Sequence, residues 1–166
     1  MDDEVVRLRA LRDAHRHAEH LAAACALVAR RPGDVEVQIE AAYGLDRAGE
    51  EARAIVHYEA ARRLGVPAQE RRPFTVGLGS TLRNVGRHDE AVAVFARALA
   101  EDPGYAPFAA FLALALASAG RSREALATML QCALEAARPG AFDGYERALA
   151  GYRRDLARGD EDPASG

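Results

Sequence analysis

Residues 78–103 read LGSTLRNVGRHDEAVAVFARALAEDP, and the spacing inside this stretch decides the fold. Gly86 is followed by a small residue after five places, a bulky residue after nine and another small residue after twelve. The same spacing recurs 37 residues earlier and 34 residues later. Self-similarity at such a period indicates stacked supersecondary units. The three sets are Gly49, Ala54, Tyr58 and Ala61; Gly86, Ala91, Phe95 and Ala98; and Gly120, Ala125, Met129 and Cys132.

The segments between these glycines carry the apolar periodicity of helices, and none has the two-residue alternation of a half-buried strand. A Gly just past a helix supplies the left-handed backbone that other residues adopt at a cost. We expect the small residues to lie where paired helices approach closely and the bulky ones to fill the gap to the next pair. The sequence therefore predicts an all-α fold. The predicted helices cover residues 35–47, 50–64, 71–85, 88–101, 105–119 and 122–137.

The sequence resembles the tetratricopeptide-repeat proteins, and more closely a family of small bacterial members without an assigned function, over residues 34–156. This resemblance implies a right-handed α-solenoid of helix pairs, with repeats at about 35–68, 72–105 and 106–139. The residues that carry it are Leu78, Gly79, Leu82, Gly86, Ala91, Phe95, Ala98 and Pro103 in the middle unit and Leu112, Ala113, Leu116, Gly120 and Ala125 in the third.

The two ends are expected to cap a single domain of residues 1–158, because an end repeat otherwise leaves an apolar face in water. Residues 1–31 form either one long helix or a degenerate pair, in which His15 stands where Gly would be and His20 where Ala would be. A helix over 141–158 caps the last repeat or forms a homodimer seam, and residues 159–166 are expected to be disordered. The seam consists of Phe142, Tyr145, Leu149, Tyr152 and Leu156.

The resemblance implies that the first helix of each pair lines an inner groove. Apolar burial around Tyr43, Phe111 and Leu114 would supply affinity, and Glu36, Glu40 and Arg83 would set a preference for a basic partner. Because the helix at 105–119 is apolar nearly all round, the C-terminal helix, a second copy or a ligand must cover it. The predicted groove residues are Glu36, Ile39, Glu40, Tyr43, Asp46, Arg47, Val76, Ser80, Arg83, Asn84, Phe111, Leu114 and Ser118.

One familiar use of the family is not expected here. Its chaperone-tail adaptors hold a terminal carboxylate with a clamp of Lys, Asn, Asn, Lys and Arg. None of the matching residues in this sequence can donate a charged hydrogen bond to a carboxylate. The matching residues are Ile39, Tyr43, Gly77, Pro107 and Phe111.

Composition argues against catalysis and nucleic-acid binding. The net charge is −3, and the chain has no Lys among its 22 basic residues, which removes Schiff-base chemistry and the phosphate-loop lysine. The cluster of His15, His17 and His20 lacks the spacing of a helical zinc site, and we interpret it as solvated helix surface. We therefore predict no catalytic residue, metal or cofactor.

The location is predicted from the thiols, the N-terminus and the apolar runs. Cys25 and Cys132 are expected to be buried free thiols of a reducing compartment. The acidic start and the lack of an apolar run long enough to span a membrane favour a cytoplasmic location. The predicted function is a non-enzymatic interaction module that binds a peptide or protein segment in the concave groove. A homodimer with a structural role is the alternative.

Overall fold

The computed structural model describes residues 2–158 as helices joined by short connections. The predicted tail at 159–166 lies outside the described residues. No strand occurs within residues 2–158, and the predicted all-α fold is confirmed. The six helices predicted between residues 35 and 137 match the observed bounds to within one residue at each end. The helices are α1 (Asp3–Asp13), α2 (His17–Arg30), α3 (Val35–Arg47), α4 (Glu51–Leu64), α5 (Arg71–Asn84), α6 (His88–Glu101), α7 (Ala106–Ser118), α8 (Ser122–Ala136) and α9 (Glu146–Arg158), with a 3-10 turn at Ala68–Glu70 before α5.

The chain divides into two compact units between Gly86 and Arg87. In the first unit, α3 packs against α2, α4 and α1, and α5 packs against α4 and α3. In the second unit, α7 packs against α6 and α8, and α9 packs against α8. Most packed pairs are neighbours along the chain, and in the first unit α3 also packs against α1 and α5.

The turns between paired helices explain the recurring glycines. Gly49, Gly86 and Gly120 have φ values of 74°, 82° and 77°, in the left-handed region that favours glycine. His15 occupies the same place at the N-terminus and also has a positive φ, of 56°. Residues 3–30 therefore form a degenerate helix pair, α1 and α2, and not one long helix.

The recurring small and bulky residues pack as predicted in the first two sets. Ala54, Ala91, Tyr58 and Phe95 are all without exposed surface. Met129, the bulky residue of the third set, is 38% exposed, so the prediction that it fills a gap between helix pairs is wrong. The reason lies in the position of α9, described below.

The C-terminal helix begins later than predicted. It starts at Glu146 and not at residue 141, because the preceding segment turns through three left-handed residues. These residues are Asp143, Gly140 and Gly144, with φ values of 50°, 79° and 85°. Phe142 and Tyr145 therefore precede the helix, and Tyr145 and Tyr152 are each 66% exposed. The remaining seam residues, Phe142, Leu149 and Leu156, are half-buried.

The two cysteines are free thiols, and both are half-buried instead of buried as predicted. The Sγ atom of Cys132 lies 3.7 Å from the carbonyl oxygen of Ala106, so this thiol faces α7.

Candidate functional site

Glu40 stands at the centre of an ionic cluster in the first unit and has no exposed surface. Its Oε1 accepts a hydrogen bond from Nη1 of Arg12 at 2.7 Å, and its Oε2 lies 2.9 Å from Nε2 of His20. The Nε of Arg9 is 3.6 Å from Oε1. A buried carboxylate needs such partners because its desolvation is costly. A ligand has no access to this carboxylate, so the prediction of Glu40 as a groove residue is wrong.

Arg9 extends the cluster to two more carboxylates. Its Nη2 lies 3.0 Å from Oε1 of Glu36 and 3.2 Å from Oε1 of Glu70. These contacts join α1 to α3 and to the 3-10 turn before α5. The acids that were expected to attract a basic partner, Glu36 and Glu40, are thus paired within the chain itself. We call Arg9, Arg12, His20, Glu36, Glu40 and Glu70 the ionic cluster.

His20 is 2% exposed, so its interpretation as solvated helix surface is wrong. The ring fits because α3 carries a glycine opposite it. A Cβ atom added to Gly44 would lie 3.3 Å from Nδ1 of His20, closer than most real contacts. His15 and His17 are exposed, as predicted.

Sequence analysis missed the basic half of the ionic cluster. Arg9 and Arg12 are three residues apart on α1, which places them on one helix face. The three-residue spacing of these arginines could have been recognised in the sequence as a basic helix face. Their partners on α3 are separated from them by 27 and 28 residues, and no local pattern connects the two.

Tyr43 and Ile39 are less accessible than the groove prediction required. Ile39 is 1% exposed, and its prediction as a groove residue is wrong. Tyr43 is half-buried, with the guanidinium carbon of Arg12 5.5 Å from its ring centroid, a cation–π distance. Burial, with the nearby negative charge of Glu70, raises the pKa of Tyr43 well above its usual range.

Asp46 links three helices of the first unit. Its carboxylate accepts hydrogen bonds from the hydroxyls of Thr81 at 3.0 Å and Tyr58 at 3.4 Å. Burial raises the pKa of Asp46, and the two hydrogen bonds oppose that rise. The observed hydrogen-bond partners of Asp46 are thus side chains of α4 and α5, and these bonds hold the helices together. Among the other predicted groove residues of this unit, the exposed ones are Arg47 and Asn84 and the half-buried ones are Val76, Ser80 and Arg83.

The second unit presents a face of a different kind. The sequence of α7, APFAAFLALALAS, contains no charged residue, and Leu114 on this helix is 43% exposed. Phe111 is half-buried and its ring stacks on Phe95 with centroids 5.6 Å apart; Ser118 is half-buried. The C-terminal helix packs on α8, so it is not the cover that sequence analysis offered for α7. At 13 residues α7 is short, and no helix within residues 2–158 is long and apolar enough to cross a membrane.

Comparison with known proteins agrees with this architecture. The family model described as "Tetratrico peptide repeat" matches residues 35–156, so the chain belongs to the tetratricopeptide-repeat family and has its all-α solenoid fold. Two similar solved structures are "MamA 41-end from Desulfovibrio magneticus RS-1" and "MamA RS-1 ArsTM double mutant". Their TM-scores are 0.62 and 0.63, each at 16% identity over 98% of this chain and 99% of the other. No curated protein matches the sequence.

Proposed function

We propose that the chain is a non-enzymatic protein-binding module whose main contact is the exposed apolar face of α7. The observation that carries this proposal is Leu114, 43% exposed on a helix without a charged side chain. Leu114 is not isolated, because Ala110, Phe111 and Ala117 on the neighbouring turns of α7 also keep accessible surface, and contiguous apolar surface marks interaction sites in soluble proteins. Membership of the tetratricopeptide-repeat family supports the same class of function.

The first unit contributes less to this proposal. The ionic cluster pairs Glu36 and Glu40 within the chain, so the expected preference for a basic partner loses its support. We retain as candidate contacts the predicted groove residues of this unit that keep accessible surface, each acting on the face of its own unit. They are Tyr43, Asp46, Arg47, Val76, Ser80, Arg83 and Asn84.

A displayed library of random peptides, selected on the full chain, tests the proposal. Leu114→Glu should weaken the selected peptides about tenfold or more, a loss of about 1.4 kcal/mol, because a charge would enter the apolar contact. Val56→Glu is the matched control, since Val56 is 58% exposed on α4 of the first unit. Equal binding by wild type and Leu114→Glu would reject the α7 face.

A structural homodimer is the second candidate, favoured by the exposed rings of Tyr145 and Tyr152. Tyrosine is enriched in the core of protein interfaces relative to the rest of the protein surface. Light scattering across a concentration series measures the mass directly. A dimer that Tyr152→Glu converts to a monomer would support this candidate, and a monomer at every concentration would reject it.

We also propose a cytoplasmic location. The free thiols of Cys25 and Cys132 support a reducing compartment. Fractionation of the native host, with detection of the untagged chain, would test it. Recovery in the membrane or extracellular fraction would contradict the proposal.

A further inference from the structure

One apolar face of the second helix of each repeat is buried in the first two repeats and exposed in the third. The face lies six and nine places after the turn glycine, at Ile55 and Tyr58 on α4 and at Val92 and Phe95 on α6. All four of these residues are buried. On α8 the equivalent residues, Leu126 and Met129, are 56% and 38% exposed.

Within the first unit, the next helix covers this face. The ring of Phe74 on α5 lies against Tyr58 with centroids 5.4 Å apart. One turn further along α5, a Cβ atom on Gly77 would lie 2.2 Å from the hydroxyl oxygen of Tyr58. In the second unit the ring comes from a different position of the repeat: Phe111 of α7, equivalent to Gly77 of α5, stacks on Phe95 of α6. In both cases a helix delivers an aromatic ring onto the bulky residue.

The helix that follows α8 packs on a different face. Ala127 is 6% exposed and Leu130 and Leu134 are half-buried, which assigns this side of α8 to α9. The contact of the Arg123 Nη2 with the carbonyl oxygen of Asp155, at 3.4 Å, places the end of α9 beside the start of α8. Among the described residues α9 packs on α8 and has no contact with α7.

The other repeats leave this second face in water. The residues equivalent to Ala127 are Val56 and Ala93, and the residues equivalent to Leu134 are Arg63 and Ala100. All four are exposed. Only α8 carries leucines on this face, Leu130 and Leu134, and the position of α9 follows from them. This position of α9 leaves uncovered the face of α8 that carries Leu126 and Met129, which the first helix of a following repeat would bury.

We propose that this uncovered face of α8, formed by Leu126, Met129 and Ala133 and here called the open slot, binds an amphipathic α-helix of another protein. The partner helix would place an aromatic side chain on Met129, as α5 and α7 place Phe74 and Phe111 on Tyr58 and Phe95. Helices commonly bind in apolar grooves through such anchors, and methionine adapts its shape to different partners. This inference rests on the proposed protein-binding function and names its partner chemistry.

A second copy of the chain is a poorer occupant. The aromatic residues of α5 and α7 are already packed inside their own units. Tyr152 is the exposed aromatic residue of α9, but its helix also exposes Arg147, Arg154, Asp155 and Arg158. The α8 helix of a second copy exposes Leu126 and Met129 but has no aromatic residue, so it cannot place a ring on Met129.

The probe for the open slot is a peptide of residues 71–84, which fill the equivalent position on α4. Gly77 and Gly79 are replaced by Ala in the peptide to raise its helix propensity, because Met129 does not require the close approach that Tyr58 does. The peptide carries a fluorophore, and its anisotropy is measured against the full-length chain. Leu126→Glu and Met129→Glu should each weaken binding about tenfold or more, a loss of about 1.4 kcal/mol. A peptide with Phe74→Ala should bind as weakly.

The controls separate this inference from the function on which it rests. Val56→Glu should leave the affinity within about twofold, since it alters an equally exposed apolar residue of the first unit. Circular dichroism of each variant should show an unchanged Tm. An unbound peptide, or equal loss with Val56→Glu, overturns the open slot, as does a dimer that Leu126→Glu dissociates. If the library peptides still depend on Leu114 in that case, the proposed function stands without the slot.

Discussion

Helix α3 in the first unit and helix α7 in the second, each the first helix of a repeat, differ in how their polar and apolar side chains are covered. In the first unit, two arginines and a histidine contact three glutamates, and Glu40 is completely buried among them. In the second unit, α7 has no charge and leaves Leu114 exposed. Buried ion pairs contribute little net stability but are costly to break. The contrast indicates that the first unit holds α1 in place while the second is open to a partner.

The largest expected effect comes from breaking the ionic cluster. Glu40→Ala should lower the free energy of unfolding by about 3–5 kcal/mol, because it leaves the buried His20 and the half-buried Arg12 without their carboxylate. Glu36→Ala is the control, since Glu36 is 29% exposed in its side chain and should lose about 1 kcal/mol or less. Urea denaturation measures both. Equal losses of unfolding free energy in the two variants would mean that the buried part of the ionic cluster does not stabilise the first unit.

A smaller effect is expected at a repeat position that differs between the units. Gly77 takes the place in α5 that Phe111 takes in α7, because the ring of Tyr58 already occupies the space. Gly77→Ala should therefore destabilise by about 1–3 kcal/mol through overpacking. Gly33→Ala, where an added Cβ meets nothing within 4 Å, should stay within about 0.5 kcal/mol of wild type. Thermal unfolding of both variants distinguishes crowding from a general intolerance of alanine.

The smallest effect concerns pH. The pKa of Asp46 is raised in the folded chain, mainly by burial, so the folded state holds this proton to a higher pH than the unfolded state. Its contribution to stability is complete below the unfolded pKa of about 3.8 and is lost as pH rises through the folded pKa. Asp46→Asn should remove that loss while keeping an acceptor for Thr81. Unfolding free energies from pH 3 to pH 7 should then rise relative to wild type toward neutral pH, and a parallel pair of curves would contradict this.

The sequence predicted the helix pairs well because their determinants are local. Gly86 marks a left-handed turn, and Phe95 recurs in step with Tyr58, so periodicity alone places both. It misplaced Glu40 and His20 because their burial depends on side chains of other helices. Helical periodicity predicts an accessible position for Glu40, but residues of α1 cover it. The periodicity of the sequence did not resolve the structure of residues 1–31. The ring of His20 has space because Gly44, on another helix, has no side chain.

The same limit explains Met129. Met129 has the same repeat position as Tyr58 and Phe95. The sequence of α8 does not determine where the following helix packs. That choice follows from the turns at Asp143 and Gly144 and from the apolar residues Leu130 and Leu134. Position within a repeat therefore predicted which face is apolar, but not whether that face is covered.

The attachment of α9 through one neighbour has a consequence for local opening. In a linear array each element is held only by the interfaces it shares with adjacent elements. Since α8 is the one described helix on which α9 packs, the release of α9 breaks one described interface and leaves the packing of α6 on α7 intact. Amide hydrogens of Glu146–Arg158 should exchange with solvent deuterium well before those of α7, and the C-terminal helix would then be the first part of the second unit to unfold.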